Sequence, residues 1–212
     1  DTDYGQEILE GAQDQLKEMG KELVGVSAHK PTESEFTASI IRLRNAQCDV
    51  VFMGTIHRDT ILVLEAARKM KFDVVFVGNN AAYGQVIAEQ ESGSGEGYHA
   101  FVHMAKLYKE DGLTDTVTRW WDRYEARFNV EPGIPAMEGY RAADLVVTAL
   151  QNAGPDLDKA TFLAATEAIT DYQDIFGYRI QFGPGDHKGV SESLLSVVED
   201  GKWKTLATAI TY

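Results

Sequence analysis

The chain of 212 residues is 44% hydrophobic and 25% charged, which is typical of globular proteins and excludes the disordered and membrane-embedded classes. Its 33 acidic and 20 basic residues give a formal net charge of −13. Such an acidic surface repels phosphate, so nucleic acid is not an expected partner. The single cysteine, Cys48, excludes an intrachain disulfide and is expected to be buried beside an apolar run.

The first half of the chain alternates segments with helical and strand periodicity. Apolar residues recur at helical spacing in four segments, which predicts helices at residues 4–19, from 34–37 onward, at 60–70 and at 83–89. Short apolar runs between them predict strands at residues 22–26, 49–53, 74–77 and 98–103. This alternation predicts an α/β fold with a mostly parallel sheet and helices on both faces.

The second half has a different order of elements. Helices are predicted at residues 114–128, 137–153 and 157–169, with a stiff proline-containing break at 132–135. A strand at 178–182 and a turn at 183–186 follow. The chain then forms a predicted hairpin of residues 193–199 and 203–207 across Asp200 and Gly201. Three helices in succession indicate a separate layer or domain.

The sequence lacks the common motifs of catalysis and of metal or nucleotide binding. Its five histidines are scattered, and His99 and His103 fall on a predicted strand, so we expect no metal site. Residues 91–97 are predicted to form a flexible surface loop. The glycine-rich part, 93–97, follows a helix and has acidic neighbours, so a nucleotide-binding phosphate loop is not expected there. Trp120 and Trp121 point about 100° apart on a helix, so one is expected in the core and the other partly exposed. We therefore expect no catalytic residue, no metal, no cofactor and no enzymatic activity.

Polar side chains follow two predicted strands where each strand ends, and an aromatic residue lies in the first turn of the first helix. Ligands of open α/β sheets bind outside the carboxyl ends of the strands, and helix N-termini there favour an anionic group. The alternative is that these are ordinary loop residues. We predict a ligand-binding rim made of Tyr4, Thr55, Ile56, His57, Asn79, Asn80 and Tyr83.

An ordered set of short motifs resembles a known family over nearly the whole chain. The set comprises Tyr4-Gly5-Gln6, Glu35-Phe36-Thr37, residues 49–54, the segment 139–144 and the turn 182–189. It resembles type I periplasmic binding proteins, and among them the leucine/isoleucine/valine-binding class. The resemblance implies a two-lobed α/β protein of parallel-sheet layers with helices on both faces.

The resemblance implies a function in transport. Such a protein is the extracytoplasmic, periplasmic solute-binding component of an ABC importer, with a permease and its ATPase as partners. It would close on a small amino-acid-like or organic-acid ligand between two hinged lobes, as in branched-chain amino acid transport. The alternatives are the ligand-sensing domain of a regulator or receptor, and an enzyme of flavodoxin-like architecture.

The resemblance also assigns segments to lobes. Residues 1–104 correspond to the second lobe, 105–187 to a segment of the first lobe, and 188–212 to a return to the second, with hinges near 104–107 and 182–188. The N-terminal part of the first lobe and the strand that leads into Tyr4 are expected to be missing. The helices that carry Trp120, Tyr140 and Leu145 would then lack a sheet to pack on. We expect the chain to be a fragment or to pair with another chain.

One departure from the family concerns the ligand. The family has an acidic residue after the strand that ends here at Gly78, and this residue holds the ammonium group of the ligand. By the resemblance that position is Asn80. An amide cannot neutralise a buried ammonium. The ligand is therefore expected to carry a carboxylate or amide but no obligatory ammonium.

Overall fold

The computed structural model describes residues 1–211, which form two compact units. Unit 1 comprises Asp1–Val102 and Leu194–Thr208, and unit 2 comprises His103–Ser193 and residues 209–211. The chain therefore passes from one unit to the other three times, after Val102, Ser193 and Thr208. The assignment of residues 1–104, 105–187 and 188–212 to lobes stays a prediction.

Unit 1 is built on a five-stranded sheet with helices packed against it. The strands of the chain are β1 (Val50–Phe52), β2 (Val75–Gly78), β3 (His99–Val102), β4 (Tyr172–Gln173), β5 (Arg179–Ile180), β6 (Glu192–Glu199) and β7 (Lys202–Thr211). The order in the large sheet is β1-β2-β3-β6-β7. β1, β2 and β3 are parallel, and β6 is antiparallel to β3. The prediction of a largely parallel α/β sheet is therefore confirmed for its first three strands.

The α-helices are α1 (Asp3–Glu18), α2 (Thr37–Asn45), α3 (His57–Lys69), α4 (Gln85–Ala88), α5 (Asp115–Phe128), α6 (Ile134–Ala153) and α7 (Lys159–Glu167). Each of the strongly periodic segments forms the predicted helix. Thr2 caps α1, because its hydroxyl accepts a hydrogen bond from the N–H of Gly5 at 3.1 Å. The helix predicted at residues 83–89 is instead a 3₁₀ turn, Asn80–Ala82, followed by the short α4. None of the helices described is both long and apolar enough to cross a membrane.

The strand predicted at residues 22–26 does not form. This segment includes a bend at Val24, its side chains alternate between half-buried and exposed positions, and it pairs with no strand in the described part of the chain. A segment becomes a strand only when a neighbour supplies hydrogen bonds. The prediction of a strand from the apolar pattern is therefore wrong.

The core of unit 1 lies between the sheet and the helices. It includes Ile40, Leu64, Ile87 and Val198, and Cys48 is buried as predicted. The glycine-rich stretch 93–97 forms a loop at the surface, as expected, with Gly93, Glu96 and Gly97 exposed. Within this loop Ser94 is only 3% exposed, and Gly95 packs against the backbone of Ile87 in α4.

The hairpin that closes the sheet of unit 1 forms as predicted. Asp200 and Gly201 connect β6 to β7, and both have positive φ angles, of 55° and 72°. Such angles are required in the tight turns that match the twist of paired strands.

Unit 2 is helical, with a small two-stranded sheet of β4 and β5. Its core is a cluster of buried residues that includes Met104, Trp120, Trp121 and Met137. Both tryptophans are buried, so the expectation that one would be partly exposed is wrong. The ring of Phe176 lies 5.0 Å from that of Trp120 and covers the outward side of α5.

Two further expectations for unit 2 need correction. The break predicted at 132–135 is shorter, since α6 begins at Ile134 and Pro135 occupies its first turn, where no N–H bond is lost. Tyr140 packs on Trp120 at 5.7 Å, so these two residues do not lack a partner. The large apolar residues of α6 that remain exposed are Val146, Val147 and Leu150.

Candidate functional site

The predicted rim lies at one edge of the sheet in unit 1. β1 and β2 are parallel neighbours, with Val51 opposite Phe76, so their carboxyl ends meet at the same edge. The first turn of α1 lies at this edge too. The hydroxyl of Tyr4 donates a hydrogen bond to Oδ1 of Asn79 at 3.0 Å, across 75 positions of sequence.

Hydrogen bonds to Asn79 and Asn80 hold the loop after β2 in place. Asn79 is the N-cap of the 3₁₀ turn, and its Oδ1 also accepts a bond from the N–H of Ala81 at 3.1 Å. Asn80 is half-buried at the start of the turn, and its carbonyl accepts a bond from the N–H of Tyr83 at 3.2 Å. The side chain of Asn79 is thereby fixed from two directions.

The loop after β1 leads directly into α3. Thr55 is buried, and its hydroxyl lies 2.6 Å from that of Thr60. Ile56 is exposed and occupies the N-cap position of α3, where it offers no hydrogen-bonding side chain. The N–H groups in the first turn of α3 are thus left for water or a ligand oxygen.

His57 and Tyr83 have different environments. The ring of His57 lies against Gly84, where an added Cβ would come within 2.6 Å of Nε2. Tyr83 is only 3% exposed, and its ring packs 4.4 Å from that of Trp203. Tyr83 therefore belongs to the core of unit 1 in this conformation, whereas His57 links the two loops of the rim.

The structure adds a charged cluster that the sequence did not reveal. The carboxylate of Asp59, in the first turn of α3, accepts a hydrogen bond from Arg58 at 2.6 Å and lies 3.3 Å from Nε2 of His29. Arg58 also donates to the carbonyl of Glu33 at 2.7 Å. Asp59 and Arg58 are visible in sequence as charges at a helix start, but the contact with His29 depends on the fold.

The predicted rim residues carry no negative charge. None of the seven predicted residues is acidic, and the one buried carboxylate beside them, Asp59, is already paired. Under Gly78, burial raises the pKa of the Tyr98 hydroxyl, so that group is neutral at physiological pH. Among residues 1–211, no three His, Cys, Asp or Glu side chains come close enough together to hold a metal ion.

A cavity of about 470 Å³ lies beside the rim and not on it. Of the seven predicted residues, only Thr55 lines this cavity. The cavity lies along β1, which is the edge strand of the sheet, whereas most of the other rim residues lie on the loops at the strand ends.

Comparison with known proteins identifies the family of this fold. A family model described as "Periplasmic binding protein" matches residues 1–202. No curated protein matches the chain significantly in sequence.

Solved structures show the same fold at low sequence identity. A fatty acid ABC transporter substrate-binding protein from Thermomonospora curvata is 18% identical with a TM-score of 0.83, over 100% of this chain and 56% of its own. The leucine-binding protein of Thermotoga maritima is 16% identical with a TM-score of 0.76, over 92% of this chain and 54% of its own. A solute-binding protein of R. palustris in complex with benzoate is 18% identical with a TM-score of 0.77, over 98% of this chain and 56% of its own.

This chain thus spans little more than half the length of these relatives. The comparisons confirm the fold that the resemblance implied. The family consists of solute-binding proteins and not of enzymes, which also confirms the prediction on catalysis. Since the family model matches nearly the whole sequence, the chain belongs to the periplasmic binding protein family.

Proposed function

We propose that this chain binds a small organic solute through a carboxylate group at the rim, as part of the solute receptor of an ABC importer. The observation that carries the proposal is the set of hydrogen-bond donors at the rim with no free acid among them. Asn79 and Tyr4 hold each other in place, and the uncapped start of α3 lies on the neighbouring loop.

The start of α3 provides the anion-binding element of the proposal. A helix N-terminus carries a partial positive charge and several N–H groups that point along the axis, so it attracts carboxylates. α3 has 13 residues, and its N-cap residue Ile56 supplies no competing oxygen. A ligand carboxylate at this position would replace the water that otherwise satisfies these groups.

The lack of a free acid narrows the class of ligand. An amino acid presents an ammonium group, and burial of that group without a negative partner is costly. The family position for that partner is Asn80 here. Proteins of similar fold bind ligands with and without an ammonium, since one is named for fatty acids, one has benzoate and another has valine. We therefore favour organic acids without an ammonium over branched-chain amino acids.

The family supports an extracytoplasmic site of action. Periplasmic binding proteins deliver solutes to a membrane permease that is driven by an ATPase, and we propose these as the partners of the complete protein. The predicted hinges near 104–107 and 182–188 would then allow closure on the ligand, with the closed state favoured by ligand binding.

Isothermal titration calorimetry tests the proposed ligand class. The panel pairs benzoate with benzamide and octanoate with octanamide, and includes leucine. We expect a carboxylate to bind at least about tenfold more tightly than its uncharged amide, a difference of about 1.4 kcal/mol. Leucine binding as tight as that of the best organic acid would contradict the proposed ligand class.

Two single-residue variants test whether the ligand binds at the rim. Asn79→Ala removes the amide that organises the loop after β2 and should weaken carboxylate binding at least about tenfold. Asn152→Ala, an exposed residue near the end of α6, is the matched control and should leave affinity unchanged. Equal affinities for the two variants would show that the ligand binds elsewhere.

A further inference from the structure

Two hydrogen bonds fix the orientation of the Asn79 side chain at the rim. Its Oδ1 accepts from the hydroxyl of Tyr4 at 3.0 Å and from the N–H of Ala81 at 3.1 Å. A tyrosine hydroxyl can donate or accept, but a backbone N–H can only donate, so the amide atom that faces Ala81 must be the oxygen. The amide nitrogen of Asn79, Nδ2, therefore points away from both partners.

The Nδ2 group of Asn79 has both of its N–H donors available. Within residues 1–211 it donates no hydrogen bond, and it is not among the buried polar atoms that lack a partner, so it is in contact with solvent. Asn79 as a whole is half-buried. The outward side of this side chain thus presents two donors and no acceptor, in an orientation that its inward side sets.

The amide cannot turn over to offer its oxygen to a ligand without a loss of hydrogen bonds. A rotation by about 180° would bring Nδ2 against the N–H of Ala81, which places two donors face to face with no acceptor between them. The same rotation would remove the acceptor of the Tyr4 hydroxyl. Both losses fall on the inward side, so the donor-outward orientation is strongly preferred.

The neighbouring loop of the rim adds no acid that could reverse this character. The first residue of α3, His57, packs against Gly84, so the start of α3 and the loop after β2 lie side by side. The carboxylate of Asp59, in the first turn of α3, is already bonded to Arg58 at 2.6 Å. A ligand beside Asn79 therefore meets N–H donors from both loops.

We propose that Asn79 is the specificity-determining residue that selects carboxylate ligands over ammonium ligands, with Tyr4 and Ala81 holding its amide in the selective orientation. A carboxylate only accepts hydrogen bonds and can bond to Nδ2, whereas an ammonium only donates and finds no acceptor there. The asparagine at position 80 merely lacks the charge that attracts an ammonium, but Nδ2 of Asn79 excludes that group. This inference rests on the proposed carboxylate site and names the side chain that gives the site its selectivity.

Asn79→Asp tests the inference, because it changes the outward group and retains the inward contacts. One carboxylate oxygen can accept both bonds that Oδ1 accepts, and the other oxygen replaces Nδ2. Calorimetry measures the affinities of benzoate and of benzylamine, which is positively charged near neutral pH. We expect the variant to bind benzoate at least about tenfold more weakly than wild type and benzylamine about two- to fivefold more tightly.

Asn45→Asp is the matched control. Asn45 is exposed at the last position of α2, in the same unit, so this variant makes the same substitution and adds the same charge away from the rim. Both affinities should stay within about twofold of wild type, since a distant exposed charge is screened. A loss of benzoate affinity in Asn45→Asp as large as in Asn79→Asp would assign the effect to net charge and overturn the inference.

Two outcomes separate this inference from the proposed function. If wild-type protein binds benzoate no more tightly than benzamide, the carboxylate site is absent and both proposals fail. If wild-type protein prefers benzoate but Asn79→Asp keeps the wild-type ratio of benzoate to benzylamine affinity, the site exists and Asn79 does not set its selectivity.

A measurement on the wild-type chain keeps the inference testable even if Asn79→Asp does not fold. The side-chain amide resonance of Asn79 in a nitrogen-15 spectrum is identified by its loss in Asn79→Ala. We expect saturating benzoate to shift this resonance and benzylamine at the same concentration to shift it far less. An Asn79 resonance that benzoate leaves in place would overturn the inference.

Discussion

At the scale of single residues, the side chain of Asn79 connects two distant parts of unit 1. Its Oδ1 accepts from both the Tyr4 hydroxyl and the N–H of Ala81. The sequence predicted that both residues would lie at the rim, since each adjoins a strand end or helix start. It could not predict that they bond to each other, because the contact joins positions that are 75 residues apart.

The Tyr4–Asn79 bond can be measured with a double-mutant cycle. Tyr4→Phe removes one donor, Asn79→Ala removes the shared acceptor, and the double variant removes both. We expect a coupling energy of about 0.5–1 kcal/mol in urea unfolding. Asn79→Ala alone should be more destabilising than Tyr4→Phe, because it also removes the bond to Ala81. Additive losses would show that the two side chains act independently.

A second prediction concerns Asp174, whose side chain is fully buried 3.8 Å from Nη1 of Arg141. Burial raises the pKa of its carboxyl above the usual value, despite the bonds it accepts from the N–H groups of Phe176 and Tyr178. Folding therefore favours the protonated form, and the stability from this residue is lost as pH rises above about 3.9.

Asp174→Asn retains the acceptor oxygen and has no proton to lose. We expect the free energy of unfolding of the variant, relative to wild type, to increase between about pH 3 and about pH 7. Urea unfolding at a series of pH values measures this difference. A difference that is constant, or that falls with pH, would contradict the raised pKa of Asp174.

At the scale of elements, apolar periodicity predicted the helices well and the strands only in part. α1, α3, α5 and α6 extend over several turns, and each has enough repeats to define a face. The segment 22–26 has the composition of a strand but no neighbour, and β4 has only two residues. Pairing depends on parts of the chain that local sequence does not specify.

Gly78, at the end of β2, is packed too closely against Tyr98 to accept a side chain. A Cβ on Gly78 would lie 1.8 Å from the Tyr98 hydroxyl, so Gly78→Ala should destabilise unit 1 by about 2 kcal/mol or more. Tyr98→Phe in the same protein should restore part of the loss, because it removes the nearest atom. Gly78→Ala with wild-type stability in urea unfolding would show that the strand end is loosely packed.

Gly11, in contrast to Gly78, has space for an added side chain. It lies in the middle of α1, and a Cβ there would meet no atom within 4 Å. Gly11→Ala should therefore stabilise the protein by about 0.5–1 kcal/mol through helix propensity alone. A loss of stability in the same unfolding experiment would mean that the exposed face of α1 has a contact that the structure does not show.

At the scale of the whole molecule, the net charge of −13 affects stability and partners more than fold. Self-repulsion among surface carboxylates opposes the compact state, and salt screens it. The fold class and the family could be predicted from the order of elements and short motifs. The ligand could be limited only to a chemical class, because specificity depends on a few atoms placed by distant segments.

Salt should accordingly stabilise the protein at neutral pH. We expect the melting temperature to rise by about 2–4 °C, which corresponds to about 1 kcal/mol, between low and physiological ionic strength. The effect should vanish near the isoelectric point of about 4.8, which serves as the control condition. A melting temperature independent of salt at pH 7 would indicate that the acidic charges are already balanced by local pairs.

The most direct test of the central claim is a chemical-shift titration of the isotope-labelled chain with benzoate, with benzamide as the uncharged control. We expect benzoate to shift the amides of residues 55–59 and 79–83, which form the two loops of the rim, and benzamide to shift them far less. Shifts confined to the cavity along β1 or to unit 2, or equal shifts with the two compounds, would contradict a carboxylate site at the rim.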